Sequence, residues 1–396
     1  MKKLFTCVIS FLLVLSTISA EKVRVGKLYY LLNESKLTAK VTYQVDAWYG
    51  MITYENYNGL ISATIPKTIT YNDVTYSVTE IGGKAFYQCR SLVSVTIPNS
   101  IKVIGSDAFR TCINLTSASL PSSVTEIGAY AFYDCNNLES IDIPNSVTNL
   151  EEWAFSKCYA ASDISISNSI QYIPEGCFAG CKNLSTISIP ENVINIDAYA
   201  FRGCTSLESI VIPRGVTAIS YRAFESCEKL SSVVFCNDGN LLSLGEGVFA
   251  SCNNLDSIIL PKRLYSIGRE AFLECINLTY VSIPKSINQI SSYAFNKCSK
   301  LSTIYNYADV PLVLDGSVFS NVNQANCTLY VPQTSINDYK NANEWKEFNP
   351  ILPIPSLETV DQVIVEETLS SKIIQKGQVL IQRGEKTYTL MGVEIK

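Results

Sequence analysis

Eleven phenylalanines punctuate this chain at a nearly constant interval. Phe86, Phe109, Phe132, Phe155, Phe178, Phe201, Phe224, Phe249, Phe272, Phe295 and Phe319 are separated by 23, 23, 23, 23, 23, 23, 25, 23, 23 and 24 residues. A fixed period of this length marks a solenoid, in which each repeat is one coil that buries its apolar face only against its neighbours. The 396 residues would suit two or three globular domains. A solenoid uses most of that length as one unit, because its core grows along a single axis. The hydrophobic fraction of 47% and charged fraction of 17% fit a continuous core and not a disordered chain.

One coil reads as a strand followed by turns. Leu92, Val95 and Ile97 fall on one face, Ser94 and Thr96 on the other. Pro98 ends the run because it has no N–H to give to a ladder. Ile101 and Ile104 follow at turn spacing, then Gly105, Ala108, Phe109 and Cys112, where the next coil begins. The leucine returns at Leu115, Leu138, Leu184, Leu207, Leu230, Leu255, Leu278 and Leu301. Glycine follows the last isoleucine-type position at Gly82, Gly105, Gly128, Gly245 and Gly268, where it is expected to admit a tight turn. Ser106 to Thr111 is long enough for one helical or 3₁₀ turn on the outer side. Strands stacked ~4.8 Å apart would carry eleven rungs over roughly 50 Å.

The repeat L-x-x-I-x-I-P-x-S-V-x-x-I-G-x-x-A-F-x-x-C, carried from residue 65 to about 350, resembles the BspA-like, or Treponema-pallidum-type, leucine-rich repeat. The resemblance implies a β-rich α/β leucine-rich-repeat solenoid. Parallel strands would line the concave face, short turns or 3₁₀/helical turns the outside, and β caps both ends. The flanks agree: Gly26 to Tyr30, Ala39 to Tyr43 and Tyr71 to Gly82 resemble the start of such proteins, and Leu329 to Pro332 with Trp345 and Phe348 their final unit. It further implies a secreted or surface-displayed adhesin or antigen. Some members bind host matrix glycoproteins such as fibronectin and fibrinogen.

The ends divide as follows. Lys2 and Lys3, the apolar run Leu4 to Leu15 and the small pair Ser19-Ala20 read as a secretory signal over 1–20, with the apolar run too short to span a bilayer. Residues 21–64 are tyrosine-rich (Tyr29, Tyr30, Tyr43, Tyr49, Tyr54, Tyr57) and lack the repeat; they are expected to form an N-terminal β cap, or an aromatic sugar platform. The solenoid proper runs over 65–304 and a C-terminal capping repeat over 305–352. Residues 353–396 form a proline-punctuated linker and a small β segment whose end, Lys386 to Lys396, either is a sorting signal or has no sorting role. No later segment reads as transmembrane.

Ten cysteines are also rungs: Cys89, Cys112, Cys135, Cys158, Cys181, Cys204, Cys227, Cys252, Cys275 and Cys298. Export suggests disulfides, but in-register rungs place Cβ atoms ~4.8 Å apart, beyond the usual 3.5–4.5 Å of a bridge. Buried thiols acting as small apolar fillers are expected. A metal column is disfavoured, because zinc ligands cluster in short C-x₂₋₄-C spacings and the chain contains no histidine.

Without histidine, Ser-His and Cys-His nucleophile pairs and histidine-bound metals are absent. No phosphate-binding glycine loop is present, and no catalytic residue, metal or cofactor is assigned. Removing the signal leaves 29 basic against 36 acidic residues, a net of −7, which makes nucleic acid a poor partner. Binding is the expected activity. The outward strand positions carry small hydroxyls early, then a carboxylate region with Ser140, Asp142 and Asp163, then a late apolar strip with Val211, Val234, Ile259, Tyr280 and Tyr305. A contiguous apolar strip with a polar surround suits a protein partner, of the extracellular matrix glycoprotein type. The alternatives are a glycan-binding module and a carboxylate-dependent glycan-cleaving enzyme using Asp142 and Asp163 as diagonal neighbours. The longer coil between Phe224 and Phe249 is expected to bulge at Asp238-Gly239.

Overall fold

The computed structural model describes residues 21–48, 51–55, 57, 59–236 and 239–355, and beyond them the strands Ser370–Gln375, Gln378–Arg383, Lys386–Thr389 and Glu394–Ile395. The signal at 1–20, Tyr49 and Asp238 lie outside these residues, as do Leu390 to Val393 and Lys396 of the candidate sorting segment. Gly239 itself closes a turn, its N–H donating to the Cys236 carbonyl at 2.9 Å.

Most coils contribute an inner strand and then a second, two-residue strand; the inner stretch 185–189 forms none. Ser94–Thr96 is one inner strand, and its parallel register places Ser117 beside Ser94 and Ala118 beside Val95, an offset of one repeat. Val103–Ile104 is the matching second strand and pairs in parallel with Glu126–Ile127. The period thus sets the register of both ladders. Alternation does the rest: Val95 and Ile97 are buried, and Thr96 between them is exposed.

The spine runs through the middle. All eleven phenylalanines are at most 2% exposed. Their rings stack nearly parallel, with successive centroids 5.0 to 6.1 Å apart. Burial of each contributes about 1.5–3 kcal/mol, and offset stacking adds about 0.5–1.5 kcal/mol per pair. Tyr57 covers Phe86 at one end of the stack (5.4 Å), and Phe348 meets Phe319 edge-on at the other (5.0 Å).

The outer stretch is a run of turns, not a helix. The N–H groups of Ala108, Arg110 and Cys112 close turns on Gly105, Asp107 and Phe109. The alternate N–H groups of Asp107, Phe109 and Thr111 point to the next coil, donating to Ala129, Ala131 and Tyr133. Left-handed backbone at Asp107 (φ 60°) and Thr111 (φ 60°) produces this alternation, and both positions recur as columns, for example Tyr130 and Trp153, or Asp134 and Lys157. Gly105 serves close approach and not the positive φ of a tight turn: a Cβ there would lie 2.6 Å from the Gly83 nitrogen of the coil before.

The caps treat the two ladders differently. Lys22–Val25, Leu28–Asn33 and Thr38–Thr42 form an antiparallel meander that joins Val74–Ile81, so it extends the second ladder. The inner ladder begins at Ser62–Thr64, which pairs in parallel with Ser94–Thr96. At the far end Thr328–Val331 and Ile351–Pro353 add two more inner strands. There Trp345 is fully buried, and its indole N–H donates to the Leu312 carbonyl at 2.8 Å. The terminal segment holds four antiparallel strands.

One coil departs from the pattern. The residue after the second strand donates its N–H to the previous coil: Gly128 to Ile104 (2.8 Å), Glu151 to Ile127 (2.9 Å), Asp197 to Ile173 (2.9 Å), Ser220 to Ile196 (2.8 Å). Pro174 holds this position in its coil and has no N–H. The second ladder divides there, between Asn149–Leu150 and Tyr172–Ile173. The widest ring spacing of the spine, 6.1 Å between Phe155 and Phe178, falls at the same joint.

Candidate binding face

The inner strands present two outward columns. Ser209, Ser232 and then Ser257, Tyr280, Thr303 and Thr328 form the first. Val211, Val234 and then Ile259, Ser282, Tyr305, Tyr330 and Leu352 form the second. Strand pairing therefore brings together what the sequence scatters at 22- to 25-residue intervals.

The apolar positions do not form one unbroken strip, since buried Ser282 stands between Ile259 and Tyr305 in the second column. Ile259 is 64% exposed, and Val211 and Val234 are half-buried neighbours. Tyr280 sits in the first column and Tyr305 in the second, with their rings 5.6 Å apart. Tyr330 stacks on Tyr305 at 4.4 Å, and Tyr307 lies 6.4 Å from the same ring. Leu352 continues the column beyond Tyr330. Burial pushes the Tyr280 hydroxyl up to about 12. It also raises that of Tyr305, with the Tyr330 and Tyr307 hydroxyls adding to the shift. Both rings are neutral surface with a hydroxyl available for hydrogen bonding. Tyr330, Tyr307 and Leu352 were missed because the last coils leave the repeat: Tyr330 lies 25 residues after Tyr305, and Leu352 only 22 after Tyr330.

The carboxylate region is a different surface. Ser140 pairs with Asp163 and Asp142 with Ser165, so Asp142 and Asp163 are diagonal neighbours on exposed strand positions. The Ser165 hydroxyl donates to the Asp142 carboxylate. Both acids stand on an open sheet facing water.

The cysteine rungs are built into the core. The Cys112 thiol donates to the Phe86 carbonyl at 3.1 Å, and Cys135, Cys204 and Cys298 repeat this contact with Phe109, Phe178 and Phe272 at 3.2 to 3.3 Å. These side chains are thiols, and burial pushes Cys204 and Cys275 up to about 12. Such thiols are poor nucleophiles. Among the described residues no group of three or more Cys, Asp or Glu side chains is arranged to hold a metal ion.

Parallel inner strands, outer turns and a buried spine repeated coil after coil define a leucine-rich-repeat solenoid. The chain belongs to the BspA type leucine-rich repeat family, which it matches over residues 79–207, 172–302 and 236–346. Similar solved structures include the pneumococcal vaccine antigen PcpA, 20% identical, covering 85% of this chain and 99% of that one, with a TM-score of 0.50. Another is the T. pallidum leucine-rich repeat protein, 28% identical, covering 59% of this chain and 91% of that one, with a TM-score of 0.40. A third is a leucine-rich cell surface protein from Faecalibacterium prausnitzii, 24% identical, covering 89% and 99%, with a TM-score of 0.45. The likeness to PcpA bears on the fold alone. A search of curated proteins returned no match. No helix among the described residues is long and apolar enough to cross a membrane.

Proposed function

We propose that this protein is exported and binds an extracellular protein, of the matrix glycoprotein type, through the C-terminal half of its inner face. The observation that carries this reading is the second outward column, where Ile259, Tyr305, Tyr330 and Leu352 share one face of a five-stranded parallel sheet. Rigid aromatics beside an exposed aliphatic side chain are the composition of an interface centre. Val211 and Val234 extend the strip, and Ser140, Asp142 and Asp163 form a separate acidic patch on the earlier coils of the same face. Family membership and the sequence signal at 1–20 support display outside the cell.

The stacking favours a protein over a glycan. Tyr305 and Tyr330 stack at 4.4 Å, so each has one ring face covered and the pair offers less flat surface to a sugar than two separate rings would. A glycan-cleaving role for Asp142 and Asp163 is disfavoured because neither sits in a cleft that would exclude water. Binding of the mature protein to arrays of purified matrix glycoproteins and of glycans tests the reading. Protein spots should bind, and Ile259→Lys with Tyr330→Lys should abolish the signal without lowering thermal stability. Retained binding by the double variant, or signal on glycans alone, would overturn it.

A further inference from the structure

The N-terminal meander extends the second ladder, and the hairpin Gln44–Trp48 with Met51–Glu55 that follows it pairs only with itself among the described residues. The inner ladder ends on Ser62–Thr64, whose partner lies on one side only. Ile61 accepts from Val93 and Ile65 donates to Thr96, so Ile61, Ala63 and Ile65 aim their backbone groups at the neighbouring strand. Alternation then turns the N–H and C=O of Ser62 and Thr64 outward. Neither residue has a backbone partner on that side among the described residues. Unpaired edges of this kind recruit extended chains and are ordinarily blunted. The opposite end of the ladder is blunted in that way, since its last strand, Ile351–Pro353, carries a proline among its outward-facing positions.

Beside the bare edge runs a cleft of about 410 Å³, within the ~300–1,000 Å³ range of binding pockets. Its far wall is the hairpin turn through Val25 and Lys27, and its lining is mixed: Leu60 and Pro66 with the edges of buried Leu28 and Tyr30 on the apolar side, Lys27, Ser62 and Thr64 on the polar side. Lys27 is the one charged residue in that lining; it is exposed and forms no ion pair among the described residues. The exposed ammonium of Lys27 at the rim is complementary to a carboxylate, and this local charge acts against the net negative charge of the chain.

We propose that this edge and cleft form a strand-addition site for an extended, acidic segment of another protein. The segment pairs with the outward groups of Ser62 and Thr64, seats alternate apolar side chains against Leu28 and Leu60, and places a carboxylate near Lys27. The site is separate from the apolar strip of the inner face and does not depend on its role.

Panning a random octapeptide display library against the mature protein tests this, with residue-resolved hydrogen exchange on the free protein. Thr64→Pro removes an outward N–H and leaves the bonds to the neighbouring strand in place. The enriched pool should be rich in Asp or Glu among β-branched residues and should lose about tenfold in affinity for Thr64→Pro, as a lost hydrogen bond implies. Lys27→Glu should invert the preference toward basic peptides, and it keeps the test decisive if the proline variant does not fold. Tyr172→Lys, at an exposed position of the second ladder, should bind the pool unchanged. In the free protein the Ser62 and Thr64 amides should exchange without protection. Absence of enrichment, binding indifferent to both edge variants, or amides already protected because this chain covers its own edge would each overturn the proposal.

Discussion

The coil from Cys89 to Cys112 and the coil from Cys158 to Cys181 have the same length and the same buried phenylalanine, yet they are held differently. In the first, Gly105 donates to Ile81 at 2.8 Å and the second ladder is continuous. In the second, Pro174 removes that bond, Ala161 replaces the core leucine, and the ladder divides. The next inner stretch, 185–189, forms no strand either. The coils nevertheless stay in register across the joint: Phe155 and Phe178 still stack with their rings only 7° from parallel, and the outer N–H groups of Trp153, Phe155 and Lys157 still donate to Glu175, Cys177 and Ala179 at 2.7 to 3.0 Å. The outer wall also changes. Gly176 (φ +58°) leaves its column without a side chain, and the Trp153 ring lies over it and reaches Tyr199 at 6.0 Å. The lesson is that the packed spine and the outer-turn bonds together hold the register where the second ladder divides.

Substitutions sharpen this contrast. Phe201→Ala, deep in a regular region, should cost about 3–5 kcal/mol in denaturant unfolding, and Phe178→Ala at the wide gap should fall at the low end of that range. Equal costs would mean that the gap has no energetic meaning. Gly176→Ala should cost about 1–3 kcal/mol, from left-handed strain and displacement of Trp153. A Cβ at this position would lie 2.3 Å from the indole ring. If Trp153→Ala made the same change tolerable, the clash would be confirmed as the larger part.

The buried thiols give a pH dependence common to both regions. Burial raises Cys204 and Cys275 from 9.0 to about 12, so the folded state keeps them protonated while unfolded thiols ionise. Their contribution is complete below about pH 9 and is lost as pH rises toward 12. Alkaline titration should therefore erode stability progressively above pH 9, and unfolded, unreduced protein should yield most rung cysteines as free thiols. Flat stability through that window would contradict the buried thiol column. The smallest effect should come from Pro174→Ser. Ser220 and Ser291 already make the corresponding bond, and restoring it should add about 0.5–1.5 kcal/mol.

Most of the coil was legible because it follows from period alone. The spine, the inward Val95 and Ile97, the exposed Thr96 and the cysteine rungs all repeat in sequence and in space. The left-handed columns were not, because residues as unlike as Asp107, Tyr130 and Trp153 share one backbone conformation. Stacking imposes that conformation and local propensity does not. The two-residue second strand was too short to show alternation. At the face, Ile259 and Tyr305 were legible as outward positions, whereas Tyr330 and Leu352 became neighbours only through the irregular final coils.

The claim that the spine and the outer-turn bonds couple the coils through the Pro174 joint is tested most directly by hydrogen exchange followed residue by residue across denaturant unfolding. Amides preceding Leu150 and those following Ile173 are expected to lose protection in one shared transition. Two separated transitions, one for each side of the joint, would contradict it.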